Sequence, residues 1–323
     1  MKRQRIVLLA GTLMLLPFVR AEEGPLPTFT SPEILLHPKD LSWAPNDDIE
    51  HPSLIKVEGL IENPLGKYYL YYGPHKHIGL GLAYSDTIHG PWTEFEGNPV
   101  LEGPAAPDIR WLPEKKKFYL WGHRKNSQTE LWTSDNGIDF EHHSVSIDGA
   151  AIGTKNATYT RFYEYPIEKY GSRYIMLYVG FEVEKGLRSA WLAYSKDAET
   201  WTQLTTPLVS PIESEGENRD IHSAAFLPWN GNNYIVYSDN FTWRGGRLRY
   251  VEVDEELNPV GTAGERHTLI HPPEEIQVRL RGQEFFWEGD RIHLISGGGR
   301  TPRLSVQASA PAFEASQSDS KTH

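Results

Sequence analysis

Short apolar and aromatic runs recur along this chain with polar turns between them. Five of the runs share the same character, and their starts are about 50 to 60 residues apart. Their length and their content of Tyr, Trp, Ile and Leu are typical of β-strands. A fixed repeat of this kind predicts one supersecondary unit that is used five times. The five runs are 67–72, 117–121, 173–178, 233–237 and 291–295.

Each unit contains further strands around this run. Another strand precedes it in every unit, at 51–57, 106–111, 159–163, 221–226 and 282–286. In the first three units a third strand ends in Ser-Asp or a similar pair, and a fourth strand begins at an aromatic residue. Four antiparallel strands in each of five units predict an all-β fold, a five-bladed β-propeller of four-stranded antiparallel blades.

A blade cannot bury both of its faces alone, so the blades are expected to stack into a closed ring. We expect Ile34-Leu35-Leu36 to supply an outer strand to the last blade, which is degenerate after Gly297. The predicted propeller domain spans 22–307. The small and polar residues 308–323 predict a disordered tail. A two-sheet sandwich is the alternative, but sandwiches do not show this period.

The N-terminus has the pattern of a secretory signal peptide. Lys2, Arg3 and Arg5 precede a mostly apolar run from Ile6 to Val19, and cleavage is expected after Ala21. The alternative is an uncleaved anchor, but the run is shorter than the roughly 20 residues of a spanning helix. The signal predicts a secreted or periplasmic protein that has no membrane association after cleavage.

Composition narrows the possible functions. The formal net charge is −11, and no basic stripe indicates nucleic-acid binding. The chain has no cysteine, which excludes thiol catalysis and cysteine-ligated metal. It has 10 Trp and 16 Tyr, and aromatic faces pack well on sugar rings. No cofactor or metal site is predicted, and nothing in the sequence indicates a structural calcium.

Three strings resemble the five-bladed glycosidases of glycoside hydrolase family 43 and their relatives in families 32, 62, 68 and 117. They are Ala106-Pro107-Asp108-Ile109, the strand 67–72, and Ser85-Asp86 followed by Gly90-Pro91-Trp92. The resemblance covers most of residues 45–300. It implies a central funnel in which the innermost strands carry three acidic groups that act as base or nucleophile, as proton donor, and as an orienting group.

The chain departs from this family pattern at three positions. The first blade begins with His51-Pro52 where the family has Asp-Pro. The third blade has no Asp near Thr158 to Arg161, and His222 stands where the fourth blade would carry Glu. The family's catalytic residues therefore cannot be transferred one for one. Either the acids have been rebuilt from neighbours, or the chemistry has changed, or it has been lost.

Polar residues at the starts of the inner strands are the best candidates for the site. The candidate catalytic residues are Asp48, Glu50, Asp108, Asp220 and His222. Asp48 and Glu50 are candidates for base or nucleophile, and the alternative is a turn-capping role. Asp108 interrupts an apolar strand, and its alternative is a buried carboxylate bonded to backbone amides. Histidine side chains ordinarily titrate near neutral pH, so His222 is a candidate to replace an acid, with Asp220 orienting it or acting itself.

Further residues are candidates for binding the substrate. Arg161 and Glu164 are three residues apart and point to opposite faces of their strand, so only one can face the funnel. An arginine fork suits a carboxylate or sulfate, although a structural ion pair is equally compatible. His75 lies in a hairpin tip with His77, which is more typical of a rim loop than of a metal site. The full set is His51, His75, Arg161, Glu164, Glu217, Arg281 and Glu284.

Two hypotheses follow. The first is an exported glycoside hydrolase that acts on plant or algal poly- or oligosaccharide by acid–base catalysis in the funnel, with carboxylates as the reacting groups and His222 as a candidate to assist them. The second is a non-catalytic carbohydrate-binding propeller that has lost its triad. A partner-binding scaffold is a third and weaker alternative. The sugar, the linkage and the oligomeric state stay open.

Overall fold

A computed structural model describes residues 26–29, 33–45, 47, 49–212, 220–242, 245–261, 266–270, 280–297 and 305–311. The predicted signal peptide, Asp48, Glu217 and residues 312–323 lie outside the described residues. In chain order the strands are β1 (Glu33–Ile34), β2 (Ile49–Lys56), β3 (Tyr68–Pro74), β4 (Gly81–Ser85), β5 (Thr93–Glu94), β6 (Ala105–Leu112), β7 (Lys117–His123), β8 (Gln128–Ser134), β9 (Glu141–Asp148), β10 (Thr158–Ile167), β11 (Ser172–Glu182), β12 (Leu187–Ser195), β13 (Trp201–Gln203), β14 (Ile221–Trp229), β15 (Asn232–Thr242), β16 (Gly245–Val253), β17 (His267–Ile270), β18 (Arg281–Glu288), β19 (Arg291–Gly297) and β20 (Ser305–Pro311).

These strands form four-stranded antiparallel sheets arranged as a propeller, as the sequence predicted. Four sheets each use four consecutive strands, namely β2–β5, β6–β9, β10–β13 and β14–β17. The remaining sheet is composite and has the order β1-β20-β19-β18. Its outer strand pairs Glu33 with Val306 and Ile34 with Ser305, so the predicted N-terminal contribution is confirmed. Because β20 continues to Pro311, the predicted domain limit at 307 falls inside a strand.

The innermost strands are β2, β6, β10, β14 and β18, and each contacts the next around a closed cycle. Each inner strand is also linked to the next by a hydrogen bond from a backbone N–H to a side-chain oxygen. These bonds join Leu54 N to Glu284 (2.8 Å), Ile109 N to Ser53 (3.0 Å), Phe162 N to Asp108 (2.7 Å), Phe226 N to Tyr163 (2.9 Å) and Gly282 N to Ser223 (3.1 Å).

Apolar side chains fill the spaces between neighbouring sheets. Trp121 on β7 stacks on Phe162 on β10, with ring centroids 4.6 Å apart. Both rings belong to a buried cluster shared by the second and third sheets. Burying side chains of this size stabilises the fold by about 1.5–3 kcal/mol each. Helical structure in the described residues is limited to short 3-10 segments at Pro38–Asp40, Gly149–Ile152 and Glu168–Tyr170. None of the described helices has the length and apolar character needed to cross a membrane.

Candidate active site

A bulge near the start of each inner strand shapes one end of the ring, which we call the upper end. The pairing register shifts between Glu50 and Ser53 in the first sheet, and at the corresponding place in the other four. The backbone enters the left-handed region at four of these places: His51 (φ 50°), Ala106 (53°), Tyr159 (55°) and Gly282 (59°). This conformation is costly for residues other than glycine, and such strain clusters at functional sites.

The three positions that depart from the family pattern meet at this upper end. The rings of His51 and Tyr159 stack at 4.3 Å with an interplanar angle of 9°, and those of Tyr159 and His222 stack at 4.7 Å and 27°. His51 and His222 are themselves 5.5 Å apart. His123 meets the edge of Tyr159 at 5.3 Å, and the Arg188 guanidinium lies 5.4 Å from the same ring. Two imidazoles and a phenol are therefore in mutual contact where the chain departs from the family pattern.

Burial sets the charge of these rings. It lowers the pKa of His51 well below its ordinary value, and the neighbouring His222 and Arg161 lower it further. It also lowers the pKa of His123 to about 4, with a contribution from Arg188. Burial raises the pKa of Tyr159, against the opposing charge of Arg188. At neutral pH the site therefore holds uncharged imidazoles beside a protonated phenol.

Two carboxylates reach the same end of the ring. Glu50 lies 2.7 Å from Nη1 of Arg281 and 3.7 Å from Nδ1 of His75. Burial alone would raise the pKa of Glu50, but the nearby His75 and the charge of Arg281 bring it below its ordinary value. Asp220 pairs with Arg188 at 3.2 Å and is about one third exposed. Glu50 is therefore an ionised carboxylate that lies close enough to Tyr159 to influence its pKa.

The loop that carries His75 is held by a residue outside the predicted set. Asp47 is buried and accepts hydrogen bonds from the backbone N–H groups of Lys76 (2.7 Å) and His77 (3.0 Å). Its carboxylate also lies 2.8 Å from Nδ1 of His77. These contacts fix the hairpin tip at the rim of the upper end, where His75 approaches Glu50.

Arg161 occupies the centre of the ring, below the bulges. Its guanidinium donates to the carbonyl oxygens of Pro52 (2.9 Å), Pro107 (2.9 Å), Gly282 (2.8 Å) and Gln283 (3.2 Å). These four carbonyls belong to three other inner strands. The side chain therefore ties β10 to β2, β6 and β18 at the centre of the molecule.

Asp108 and Glu284 lie in the same central layer. Asp108 is fully buried, accepts the Phe162 N–H, and lies 2.8 Å from Nη2 of Arg110. Glu284 accepts the Leu54 N–H and lies 2.7 Å from Nη1 of Arg110. Burial raises the pKa of Asp108, and Arg110 opposes that effect. The structure thus places these carboxylates in contacts that join inner strands, which is the alternative role that the sequence left open for Asp108.

The structure brings together part of the predicted set. Glu50, His51, His75, Asp220, His222 and Arg281 meet at the upper end, whereas Arg161, Asp108 and Glu284 lie below it. Glu164 is exposed, pairs with Arg173 at 3.0 Å, and lines a different cavity of about 530 Å³ among Trp111, Phe286 and Trp287. Asp48 and Glu217 fall outside the described residues.

Three residues of the upper end were not among the predicted ones. Tyr159 corresponds to His51 in its own blade, so aligning the repeats at their bulge positions would have found it. His123 ends β7, beside the inner strand of its sheet, and Arg188 lies on β12. The sequence signals neither, because both reach the site from strands outside the innermost layer.

Among the described residues, three buried nitrogens of this end find no hydrogen-bond partner: His51 Nε2, His123 Nδ1 and Arg281 Nε. Buried polar atoms normally have partners, so unpaired ones at this end of the ring indicate groups that can serve a ligand. Within the described ranges, no group of three or more His, Asp or Glu side chains is arranged to hold a metal ion.

Comparisons with known proteins agree with the fold. Neither the protein-family models nor the curated protein sequences give a match. The chain is similar in structure to an α-L-arabinofuranosidase from Lactobacillus brevis, with a TM-score of 0.60 and 13% identity over 86% of this chain and 98% of that one. It is also similar to a thermostable family-43 glycoside hydrolase, with a TM-score of 0.59 and 14% identity over 89% and 94%.

A third similar structure is an endo-1,4-β-xylanase from Bacteroides thetaiotaomicron, with a TM-score of 0.57 and 20% identity over 80% of this chain and 90% of that one. At these identities the likeness establishes a shared fold. The chain therefore has the β-propeller fold of family-43 glycoside hydrolases, and its chemistry has to be argued from its own residues.

Proposed function

We propose that this protein is an exported glycosidase that binds a plant or algal poly- or oligosaccharide at the upper end of a five-bladed ring. The single observation that carries the proposal is the cluster at the upper end: the ring of Tyr159 stacks between those of His51 and His222, and the ionised carboxylate of Glu50 lies near enough to act on the pKa of Tyr159. We also propose that the ring has five blades, which is supported by the closed cycle of contacts among the inner strands.

Breaking a glycosidic bond by acid–base chemistry needs two groups. One donates a proton to the leaving oxygen, and the other activates water or stabilises the positive charge that develops on the sugar. Tyr159 can take the first role because its hydroxyl is protonated at neutral pH and its ring stacks on His51 and His222. Burial raises its pKa, which makes it a weaker donor than a carboxylic acid. Glu50 suits the second because Arg281 and His75 keep it ionised. The uncharged His51 ring beside them does not oppose the cationic transition state.

The test is release of reducing ends from a panel of neutral and acidic plant and algal glycans by the purified full chain. We expect Glu50→Gln and Tyr159→Phe each to reduce turnover by about 10²–10⁴-fold, the range for loss of a general acid or base. Glu58→Gln is the matched control, because Glu58 pairs with Lys56 and Lys67 on the surface. Equal turnover by the wild type and both site variants would overturn the proposal.

One observation favours the alternative of a carbohydrate-binding propeller. All three family acid positions carry aromatic or imidazole rings, which can pack against a sugar but do not reproduce the acid trio. This alternative predicts glycan binding without release from any member of the panel. It also predicts that Tyr159→Phe leaves that binding nearly unchanged.

Export is a part of the proposal that can be tested separately. It is supported by the positive residues and apolar run that begin the chain. N-terminal sequencing of the secreted protein is expected to begin at Glu22. Retention of the apolar run in the mature protein would instead indicate an anchor.

A further inference from the structure

A second concave feature adjoins the ring cluster of the upper end. It is a cavity of about 450 Å³ between the third and fourth sheets. Its lining combines two cations, one amide, one carboxylate and one aromatic ring. These residues, which we call the side subsite, are Lys155, Asn156, Phe181, Arg188 and Asp220.

The side subsite is joined directly to the proposed reacting groups. Arg188 lies both in the lining of the cavity and over the ring of Tyr159, at 5.4 Å. A sugar in the side subsite would therefore neighbour a sugar whose leaving oxygen faces Tyr159. The distance suits adjacent units of one chain rather than two separate ligands.

The charges of this corner are opposite in sign to the charge of the whole protein. The chain carries a formal net charge of −11. In the side subsite, Asp220 is paired with Arg188 at 3.2 Å. The ammonium of Lys155 has no carboxylate within 4 Å among the described residues and lies 6.0 Å from the Phe181 ring. Within the part of the chain that the structure describes, Lys155 is therefore a cation without a carboxylate partner at the cavity wall.

A buried hydrogen-bond donor without a partner in the described part of the chain lies at the same end of the ring. Nη1 of Arg281 is bonded to Glu50, but its Nε has no partner among the described residues, although the side chain is only 7% exposed. The Arg188 guanidinium lies 5.4 Å from the ring of Tyr159, and the charge of Arg281 also lowers the pKa of that phenol. A buried donor without a partner is costly unless a ligand supplies the acceptor.

We propose that the side subsite binds a negatively charged sugar, a unit bearing a carboxylate or a sulfate ester. Lys155 and Arg188 contact the anionic group, Asn156 hydrogen-bonds a hydroxyl, and Phe181 packs on the apolar face of the ring. This inference rests on the function proposed above, since it names the substrate class of the same site. A neutral sugar would add no counter-charge for Lys155, which lacks a carboxylate partner among the residues described.

The experiment measures binding, so that its result does not depend on turnover. Tyr159→Phe protein is titrated calorimetrically with a uronate oligosaccharide, with the same oligosaccharide after its carboxyl groups are reduced to alcohols, and with a sulfated oligosaccharide of equal length. We expect at least one acidic form to bind about tenfold or more tightly than the reduced form, as one hydrogen bond to a charged group allows. The form that binds identifies the anion as carboxylate or sulfate.

A substitution of Lys155 then tests whether this residue causes the preference for the acidic oligosaccharide. Lys155→Met is expected to remove most of the difference between the acidic and the reduced ligand and to leave the affinity for the reduced ligand unchanged. Lys169→Met is the matched control, because Lys169 pairs with Glu256 on the surface of the same sheet. The affinity for the acidic ligand should also fall with rising salt concentration.

Equal binding of the acidic and reduced ligands, or a preference that survives Lys155→Met, would overturn the inference. Either result leaves the proposed glycosidase intact if neutral glycans are cleaved. Conversely, an acid preference that depends on Lys155, without turnover of any glycan by the wild type, would support the side subsite while the proposed enzyme activity fails.

Discussion

Two layers of the same five inner strands differ in how their buried polar groups are satisfied. In the central layer, the guanidinium of Arg161 donates to carbonyl oxygens of three other strands, and Asp108 and Glu284 accept backbone N–H groups from neighbouring sheets. In the upper layer, His51 and Arg281 keep nitrogens that have no partner among the described residues. Satisfied groups stabilise the ring, and unsatisfied groups are available to a ligand.

The largest expected effect comes from breaking the central layer. Arg161→Met would leave four carbonyl oxygens without their donor and Asp108 with one cation fewer. Removing one partner from a buried ionic network costs about 3–5 kcal/mol of unfolding free energy. Urea denaturation followed by tryptophan fluorescence measures the loss.

The matched control for this change is Arg173→Met. Arg173 pairs with Glu164 on the exposed surface of the same sheet, and it is expected to leave the unfolding transition where it was. If Arg161→Met shifted the unfolding transition no more than Arg173→Met does, the hydrogen bonds of the central layer would not be what stabilises the ring.

A smaller effect is expected from the pH dependence of the upper layer. The pKa of His123 is about 4 in the folded protein, against about 6.5 when it is exposed. The unfolded chain therefore takes up a proton first, and the stability associated with a neutral His123 is present above pH of about 6.5 and is lost as the pH falls toward 4. At about 1.4 kcal/mol per pH unit, the loss amounts to about 3 kcal/mol over this window.

His123→Gln isolates that contribution from the titration of carboxylates. Denaturation curves between pH of about 6.5 and 4 should show a smaller decrease in unfolding free energy for the variant than for the wild type. The comparison is made relative to the stability of each protein near neutral pH, which removes the constant cost of the substitution. Parallel losses in the two proteins would show that His123 is protonated in the folded state.

The two layers also differ in how far the sequence could predict them. Strand β3 was predicted at 67–72 and runs from Tyr68 to Pro74, because dense aromatic and β-branched residues identify a buried strand without help from the rest of the chain. The position of the upper end could also be predicted from the starts of the inner strands, because a repeat places equivalent residues at equivalent points of the ring.

The sequence could not assign roles within those strands. Asp108 lies two residues beyond Ala106, whose left-handed backbone corresponds to that of His51 and Tyr159. That bulge sets which side chains face the funnel and which enter the central layer, and it arises from packing rather than from local propensity. Arg188 was missed for a related reason, since it reaches Tyr159 from the third strand of its sheet.

The smallest expected effect tests whether the upper layer is held in place by the strand beside it. Gly282 and Gly289 have the same φ of +59°, but a Cβ on Gly282 would lie 2.3 Å from Cα and 2.5 Å from Nδ1 of His51, whereas a Cβ on Gly289 would meet nothing within 4 Å. Both alanine variants carry the left-handed cost of about 1–2 kcal/mol. Gly282→Ala should lose about 1–3 kcal/mol more of its unfolding free energy than Gly289→Ala, since overpacking displaces backbone and ring together.

Gly282→Ala should also impair glycan turnover, whereas Gly289→Ala should not. Paired denaturation curves and reducing-end assays measure the difference between the two variants. Equal losses in the two variants would mean that His51 moves freely away from β18, and the stack on Tyr159 would then not be a fixed part of the site.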